Sequence, residues 1–228
     1  MTFDKITRSD ERIELKFVYY DRELSDVLIA INSINGLTHS YLDRQVNSVY
    51  YDTAHFKYAK DNLIGLSSRK KTRLRCYKSL DSDKSFYGFS FEEKIKNNKL
   101  GYKLIYKSNN FNSLDILDLT EPITYNGDSL ISNLHPVSYI RYIRSYYVYY
   151  GTVRLTIDKD IHFTSLFNAV DLSLNTPGDY FPRVIVEIKF DPSDYNIAKK
   201  LLNYFHRTPV RHSKYLSSLA TYGYVQYV

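Results

Sequence analysis

The sequence predicts an α+β fold: an antiparallel β-barrel with a charged lumen and helices packed outside. Three observations carry that expectation. The stretch 69–77 reads Arg-Lys-Lys-Thr-Arg-Leu-Arg-Cys-Tyr. As a strand of period two it puts Arg69, Lys71, Arg73, Arg75 and Tyr77 on one face, and Lys70, Thr72, Leu74 and Cys76 on the other. The same split into a charged and an apolar face recurs on most other strand candidates, with Glu14/Lys16, Glu92/Lys94/Lys96 and Glu187/Lys189 each in phase. Short segments with apolar residues at helical spacing lie between the strands, suited to covering the apolar faces. So many charges are very costly in a dry interior, so the charged faces should line a wet, ion-filled space. The competing arrangement is an open antiparallel sheet, helices on one face and cross-strand ion pairs on the solvent face. The excess of cations over acids on these faces favours the lumen.

Taken in order, residues 12–19 form the first strand, with Arg12, Glu14 and Lys16 facing one way and Ile13, Leu15 and Phe17 the other. Asp21 reads as a helix N-cap, Leu24, Val27, Leu28 and Ile31 follow at helical spacing, and Gly36 is a natural stop. A second strand covers 48–53, with Ser48, Tyr50 and Asp52 in phase, and a short helix covers 55–62. The 69–77 strand, a turn at 81–84 and a strand at 89–96 come next. The region 97–133 is the least patterned; it reads as short helices around 103–107, 114–119 and 128–134, with a loop at 109–112. Strands at 138–150 and 152–163 follow, the first placing Arg144 in phase with Tyr142 and Tyr146, the second aligning Arg154, Thr156 and Asp158. A turn at 175–179 precedes the clearest strand, 183–190, where Val184, Val186, Ile188 and Phe190 alternate with Ile185, Glu187 and Lys189. Pro192 opens a helix carrying Ile197, Leu201, Leu202 and Phe205, and a last helix covers 216–222 after a polar segment, 211–215.

No composition break divides the 228 residues, so a single domain spanning 1–228 is expected. Lys and Arg total 31 against 25 Asp and Glu, a net charge of +6, which favours an anionic partner. The 24 Tyr and 12 Phe suit strands. The one cysteine, Cys76, excludes an internal disulfide and a Cys-based zinc site, and its position on an apolar face suits a buried, inert thiol. Residues 1–10 are polar, and no stretch approaches the ~20 apolar residues of a spanning helix. A soluble, cytoplasmic protein without a transmembrane segment is expected. The cations alternate along strands instead of clustering on a helix, and no nucleic-acid-binding motif is present, so nucleic acid is not an expected partner.

A lumen of this kind suits phosphoryl chemistry. Arg forks bind phosphate oxygens bidentately, Lys supplies point charge, and a few acids among the bases can hold a divalent metal. No Walker-type glycine loop is present, so side chains would hold the phosphates. On these residues the sequence resembles the polyphosphate polymerase domain of the vacuolar transporter chaperone, within the triphosphate tunnel metalloenzymes. The matching segments, in the family's order, are Arg12-x-Glu14-x-Lys16-Phe17, Ser48 to Thr53, Arg69-x-Lys71-x-Arg73-x-Arg75-x-Tyr77, Glu92-x-Lys94-x-Lys96, Tyr142-x-Arg144, Arg154 to Asp158, Glu187-x-Lys189 and Ser213-Lys214-Tyr215.

The resemblance implies an eight-stranded antiparallel tunnel, a Mn2+ or Mg2+ ion, and transfer of the γ-phosphoryl of ATP onto a growing inorganic polyphosphate chain. It implies catalytic roles for Lys16, Arg73, Arg75, Lys94, Arg144 and Glu187. The phosphate grip would come from Lys16, Arg69, Arg73, Arg75, Lys94, Lys96, Arg144, Arg154, Lys189 and Lys214. Glu187 would be the chief metal ligand, with Glu14 and Glu92 as second ligands or as partners that orient the cations, Glu14 being the second ligand expected. Arg12 stands where the wider superfamily has its first glutamate, and Arg211 where a lysine often stands. The resemblance also allows a membrane-associated partner subunit. A tripolyphosphatase or nucleoside triphosphatase in the same tunnel, and a polyphosphate-binding module without turnover, stay open as alternatives. His162, His206 and His212 lack the spacing of a metal triad and read as surface or loop residues, Lys103 and Lys107 as a solvated face, and the Tyr run at 146–150 as wall and core.

Overall fold

Period-two alternation along the chain becomes a large, mostly antiparallel sheet. The computed structural model describes residues 1–10, 12–80, 86–98, 100–107, 113–114, 122–167, 169 and 178–227. In chain order the elements are β1 (Thr2–Phe3), β2 (Lys5–Asp10), β3 (Ile13–Tyr20), α1 (Leu24–Asn32), β4 (Leu37–Asp52), α2 (Lys57–Leu63), β5 (Ser68–Ser79), β6 (Phe86–Asn97), β7 (Leu100–Lys107), β8 (Ser113–Leu114), β9 (Thr124–Tyr125), β10 (Asp128–Ser129), β11 (His135–Tyr149), β12 (Val153–Ser165), β13 (Asp179–Phe181), β14 (Arg183–Phe190), α3 (Tyr195–Leu202) and α4 (Lys214–Thr221). Among the described residues an 11-stranded sheet follows the order β2-β7-β6-β5-β4-β11-β12-β14-β3, with β8 on β6 and β13 on β12 off the path. A second, three-stranded sheet holds β1, β9 and β10.

The expected eight-stranded closed barrel is not found. β2 and β3 are the two ends of the path, and no ladder joins them among the described residues. β2 pairs with β7 and β3 pairs with β14, each along one edge only, and the other edge of each carries no ladder among the described residues. Yet the ends are close. Pairing alternates antiparallel along the whole path, so β2 and β3 run in the same direction. Asp10 and Ile13 are three Cα steps apart, at most about 11 Å. Across this seam Lys94 Nζ of β6 lies 3.8 Å from Glu14 of β3.

Apolar faces find cover on both sides of the sheet. On the convex side, Phe17, Leu155, Ile157, Val184, Val186, Ile188 and Phe190 pack against Val27 and Ile31 of α1 and Ala198 and Leu201 of α3. The small sheet covers Val49, Tyr51, Leu74, Cys76 and Phe91 with Met1, Phe3 and Ile123. Cys76 is buried there, and burial raises its thiol pKa, as an inert position requires. The helices are not all outside, however. Val18, Val46, Tyr50, Ile140, Tyr142, Phe163 and Ile185 pack with Ala59 of α2 and Tyr215, Leu216 and Leu219 of α4. Several of these, Val18, Tyr50, Tyr142 and Ile185 among them, share strand phase with the charged residues. α4 therefore sits on the concave face. Tyr50 stacks on Tyr215 with ring centroids 4.8 Å apart, and Ser138 Oγ meets Ser218 Oγ at 2.6 Å.

Asp52 fixes that arrangement. It is fully buried at the end of β4 and accepts N–H bonds from Thr53, Tyr58 and Ala59 (2.7, 2.9 and 2.9 Å) and the Tyr215 hydroxyl at 2.6 Å. One carboxylate thus satisfies the open end of α2 and ties it to α4.

Other local expectations shift. β4 begins at Leu37 instead of 48, and the turn into it needs Gly36, whose φ is +85° and where a Cβ would lie 2.7 Å from the Tyr150 ring. The helix expected at 103–107 is β7, which pairs with both β6 and β2. The one expected at 128–134 is β10 and turns. α4 starts at Lys214, with Ser213 as its N-cap. In the Tyr run, Tyr147 and Tyr149 are core while Tyr150 is exposed. The turn at 81–84, the loop at 109–112, the helix at 114–119 beyond residue 114 and the turn at 175–179 up to residue 177 lie outside the described residues. Among the described residues no helix is long and apolar enough to cross a membrane.

Removing the Asp52 carboxylate strands buried donors on α2 and the Tyr215 hydroxyl. Asp52→Ala is expected to cost about 2–4 kcal/mol, read as a lower urea midpoint, with Asp52→Asn costing less because it keeps an acceptor. An unchanged midpoint in the alanine variant would show that α4 is seated by other means.

Candidate functional site

The charged strand faces meet on the concave surface, and α4 closes part of it. What remains is a cavity of about 720 Å3. Its walls carry Glu14 and Lys16 from β3, Tyr50 from β4, Lys71, Arg73 and Arg75 from β5, Glu92 and Lys94 from β6, and Lys103 from β7. The other side supplies Tyr142 and Arg144 from β11, Arg154 from β12, Glu187 and Lys189 from β14, and His212, Ser213 and Lys214 at the start of α4. Cations outnumber carboxylates. Arg12 pairs with Asp191 at 3.3 Å, both lining the same cavity.

Strand register sorts the acids into three groups. Glu187 faces Lys16, and Lys189 faces Glu14, across the β14–β3 ladder. There Lys16 Nζ lies 2.6 Å from Glu14 and 3.7 Å from Glu187, while Lys189 lies 2.5 Å from Glu187 and 3.3 Å from Glu14. Glu92 sits opposite Arg73, whose Nε donates to it at 2.6 Å, and Lys103 joins from β7 at 2.7 Å. Asp158 is fully buried opposite Arg144, which grips it with two bonds of 2.5 and 2.7 Å; Lys214 donates to the same carboxylate.

The remaining cations have weaker partners. Arg75, which is 8% exposed, donates to the Ser48 and Tyr142 hydroxyls at 3.2 and 3.3 Å. Lys71 Nζ meets Ser213 Oγ at 3.0 Å. Neither makes an ion pair among the described residues.

The field inside is strongly positive. Burial opposes ionisation of Glu187, yet Lys189, Lys16, Arg144 and Lys214 hold its carboxyl well below the usual range. Burial and Glu187 push Glu14 upward, and Lys16, Lys189 and Lys94 still bring it down. Burial would raise the Tyr50 phenol, but Arg73 and Arg75 lower it. The cost falls on the lysines. Burial, with Lys16, Lys94, Arg211 and Arg69 nearby, brings Lys71 down to about 7. Burial brings Lys103 down to about 8 despite Glu92. His212 is held near 3 by burial, Lys214 and Lys16, so its imidazole is neutral.

Of the residues singled out from sequence, the cavity brings together Glu14, Lys16, Arg73, Arg75, Lys94, Arg144, Arg154, Glu187, Lys189 and Lys214. Arg69 and Lys96 face each other on the β5–β6 ladder but are not among its lining residues, and Arg69 donates to the Leu66 carbonyl at 2.6 Å. Lys71 shares their phase and does line it. Lys103, read as part of a solvated face with reach to the tunnel mouth, contacts Glu92. His212, read as a loop residue, lines the wall with its Nε2 buried and unpartnered. Among the described residues no group of three or more His, Cys, Asp or Glu could hold a metal by itself.

The family model of the VTC domain matches residues 11–222 of the chain. No curated protein sequence matches it. Among solved structures, the PH1819 protein from Pyrococcus horikoshii OT3 is similar in fold, with a TM-score of 0.50 and 13% identity over 92% of this chain and 97% of that one. A putative adenylate cyclase from Vibrio parahaemolyticus aligns at a TM-score of 0.48 and 12% identity, over 92% of this chain and 98% of that one. At these identities the likeness concerns fold alone.

The depressed Lys71 has a signature in stability. Below about pH 7 both folded and unfolded chains carry its charge, and only the folded one bears the burial and repulsion. As pH rises towards 10.5 the folded amine is neutral while the unfolded one still holds its proton, so the parent regains stability. Lys71→Met is therefore expected to be the more stable protein at pH 6–7, with the advantage fading towards pH 10. Denaturant midpoints of both proteins across that range measure it, and a pH-independent difference would reject the depressed, half-buried ammonium.

Proposed function

The chain belongs to the VTC domain family, and on the cavity just described we propose that it is a polyphosphate polymerase, transferring the γ-phosphoryl of ATP to the end of an inorganic polyphosphate chain. The observation that carries this reading is the convergence of Lys16, Arg73, Arg75, Lys94, Arg144, Lys189 and Lys214 on one cavity whose carboxylates are too few to neutralise them. A linear polyanion supplies the missing charge. Arg73, Arg75 and Arg144 present planar forks for phosphate oxygens, and Lys16, Lys94, Lys189 and Lys214 add point charge. Arg154 and Lys189 face each other on neighbouring strands and extend the grip. In-line attack by a terminal phosphate oxygen of the chain on the γ-phosphorus releases ADP, and the surrounding cations stabilise the charge spread over the transferred group.

The reading includes a tunnel of eight strand positions. β2 and β3 would together fill one strand position, β2 on β7 and β3 on β14, with β6, β5, β4, β11 and β12 completing the round. The shared direction of β2 and β3 and the Lys94–Glu14 contact across the seam support this closure.

A divalent ion fits the donor set. Mg2+ and Mn2+ take one or two carboxylates and leave other positions for substrate phosphates and water. Glu187 and Glu14, adjacent and ionised, are the residues that would hold it. When bound, the ion supplies positive charge between these carboxylates and the phosphates. Lys16 and Lys189, which bridge the two acids, keep them together in its absence. Glu92 and Asp158 are spent on Arg73, Lys103, Arg144 and Lys214, so they orient the grip. The setting proposed is cytoplasmic.

Incubation with ATP and Mn2+ is expected to yield long-chain polyphosphate on a gel; phosphate release without polymer would make the protein a hydrolase of the same substrates. Glu187→Gln should abolish metal-dependent turnover while leaving calorimetric binding of tripolyphosphate near the parent value. Arg73→Ala should weaken that binding roughly 10- to 100-fold, the worth of about 1.5–3 kcal/mol for a charge-assisted contact. Near-normal metal-dependent activity in Glu187→Gln would overturn the metal assignment.

A further inference from the structure

Lys71 and Ser213 form a pair that the polymerase reading leaves unused. Ser213 Oγ lies 3.0 Å from Lys71 Nζ, and both groups line the phosphate-binding cavity. Lys71 differs from the other cavity lysines. Lys16, Lys94, Lys103, Lys189 and Lys214 each contact a carboxylate, whereas the hydrogen-bond partner of Lys71 among the described residues is a hydroxyl. The strongest charges acting on it are cations: Lys16 from β3, Lys94 from β6, Arg69 from its own strand and Arg211 from the segment before α4, where the neutral His212 also faces it. With burial, they bring the amine down to about 7. At slightly alkaline pH it is therefore a neutral base beside a serine hydroxyl.

We propose that Ser213 is a phosphoryl acceptor, with Lys71 as its general base: when no chain fills the cavity, Ser213 Oγ takes the γ-phosphoryl of the bound nucleoside triphosphate. The bond from Oγ to the γ-phosphorus forms. The bond from that phosphorus to the β–γ bridging oxygen breaks, and the nucleoside diphosphate leaves with the electron pair. The hydroxyl proton passes to Lys71 Nζ. The resulting phosphoserine stays at the N-cap of α4, where a negative group is favourable, and next to Lys71 and Lys214. It also offers a terminal phosphate oxygen as the first acceptor for chain growth. This rests on the triphosphate-binding reading of the cavity, not on polymerase activity.

The test incubates the full chain with ATP and Mn2+, then measures intact mass and maps the site by peptide fragmentation. A gain of one or more phosphoryl groups at Ser213 is expected, with a rate that rises from pH 6 to pH 8. Lys71→Met should slow labelling by about a hundredfold or more and flatten its pH dependence. Ser213→Asn retains an N-capping side chain, so it should fold, and it should carry no phosphoryl group at position 213. In a parallel arm the parent protein receives ATP with short-chain polyphosphate, and polymer is read on a gel. Label at Ser213 without polymer supports the acceptor and sinks the polymerase reading. Polymer without label at Ser213, or labelling in Lys71→Met at the parent rate, overturns the acceptor while leaving the polymerase intact. Absence of label in every arm overturns it as well.

Discussion

Burying cations on one face of a sheet is the constraint on which the rest of this structure depends. A row such as Lys71, Arg73 and Arg75 repels itself, and each group loses hydration when the sheet curls over it. The fold meets that cost unevenly. Arg73 and Arg144 receive buried carboxylates and their fields deepen their basicity, although burial works against it. Among the described residues Arg75 bonds to hydroxyls and makes no ion pair. Lys71 gets one hydroxyl and yields its proton readily. An interior arranged for stability alone would have matched every cation with an acid or replaced the cations with apolar side chains. The unmatched remainder is the physical case for an anionic ligand.

That remainder also explains why α4 is inside. The concave surface is charged over much of its area and apolar elsewhere, where Tyr50, Tyr142, Ile140, Ile185 and Val18 lie in phase with the charges. Left open, the apolar part would face water. α4 covers it with Tyr215, Leu216 and Leu219, and its N-terminal end delivers Lys214 and Ser213 to the charged part. Two buried carboxylates hold the helix at both levels: Asp52 through the Tyr215 hydroxyl and Asp158 through Lys214. Both acids looked, by phase alone, like ordinary members of the polar strand faces.

Strand phase was legible in the sequence because a period of two survives wherever one face is charged and the other apolar. Glu14 with Lys16, Arg73 with Arg75, and Glu187 with Lys189 all reach the cavity for that reason. The reading failed where the pattern lacks two distinct faces. Residues 38–42 of β4 are exposed, so they carry no alternation and read as a link. The stretch 103–107 is short, with Lys at both ends, and suits a helix as well as a strand; only pairing with both β6 and β2 decides it. The inner position of α4 left no sequence signal, since an amphipathic helix has the same pattern on either side of a sheet. His212 entered the wall with it. Closure was likewise beyond reach, because whether the two ends of the strand path, β2 and β3, come together to complete the round depends on tertiary register.

The distribution of acids carries the functional argument one step further. Glu92 and Asp158 each hold two cations and thereby aim Arg73, Lys103, Arg144 and Lys214. Glu14 and Glu187 are arranged differently: two carboxylates share the same two lysines, Lys16 and Lys189, so each acid has a like-charged neighbour that raises its cost of ionisation. A pair of structural ion pairs would gain by separating the carboxylates. Keeping them adjacent concentrates negative charge at one place in an otherwise cationic cavity, and these two residues are the ones that would hold a divalent cation there.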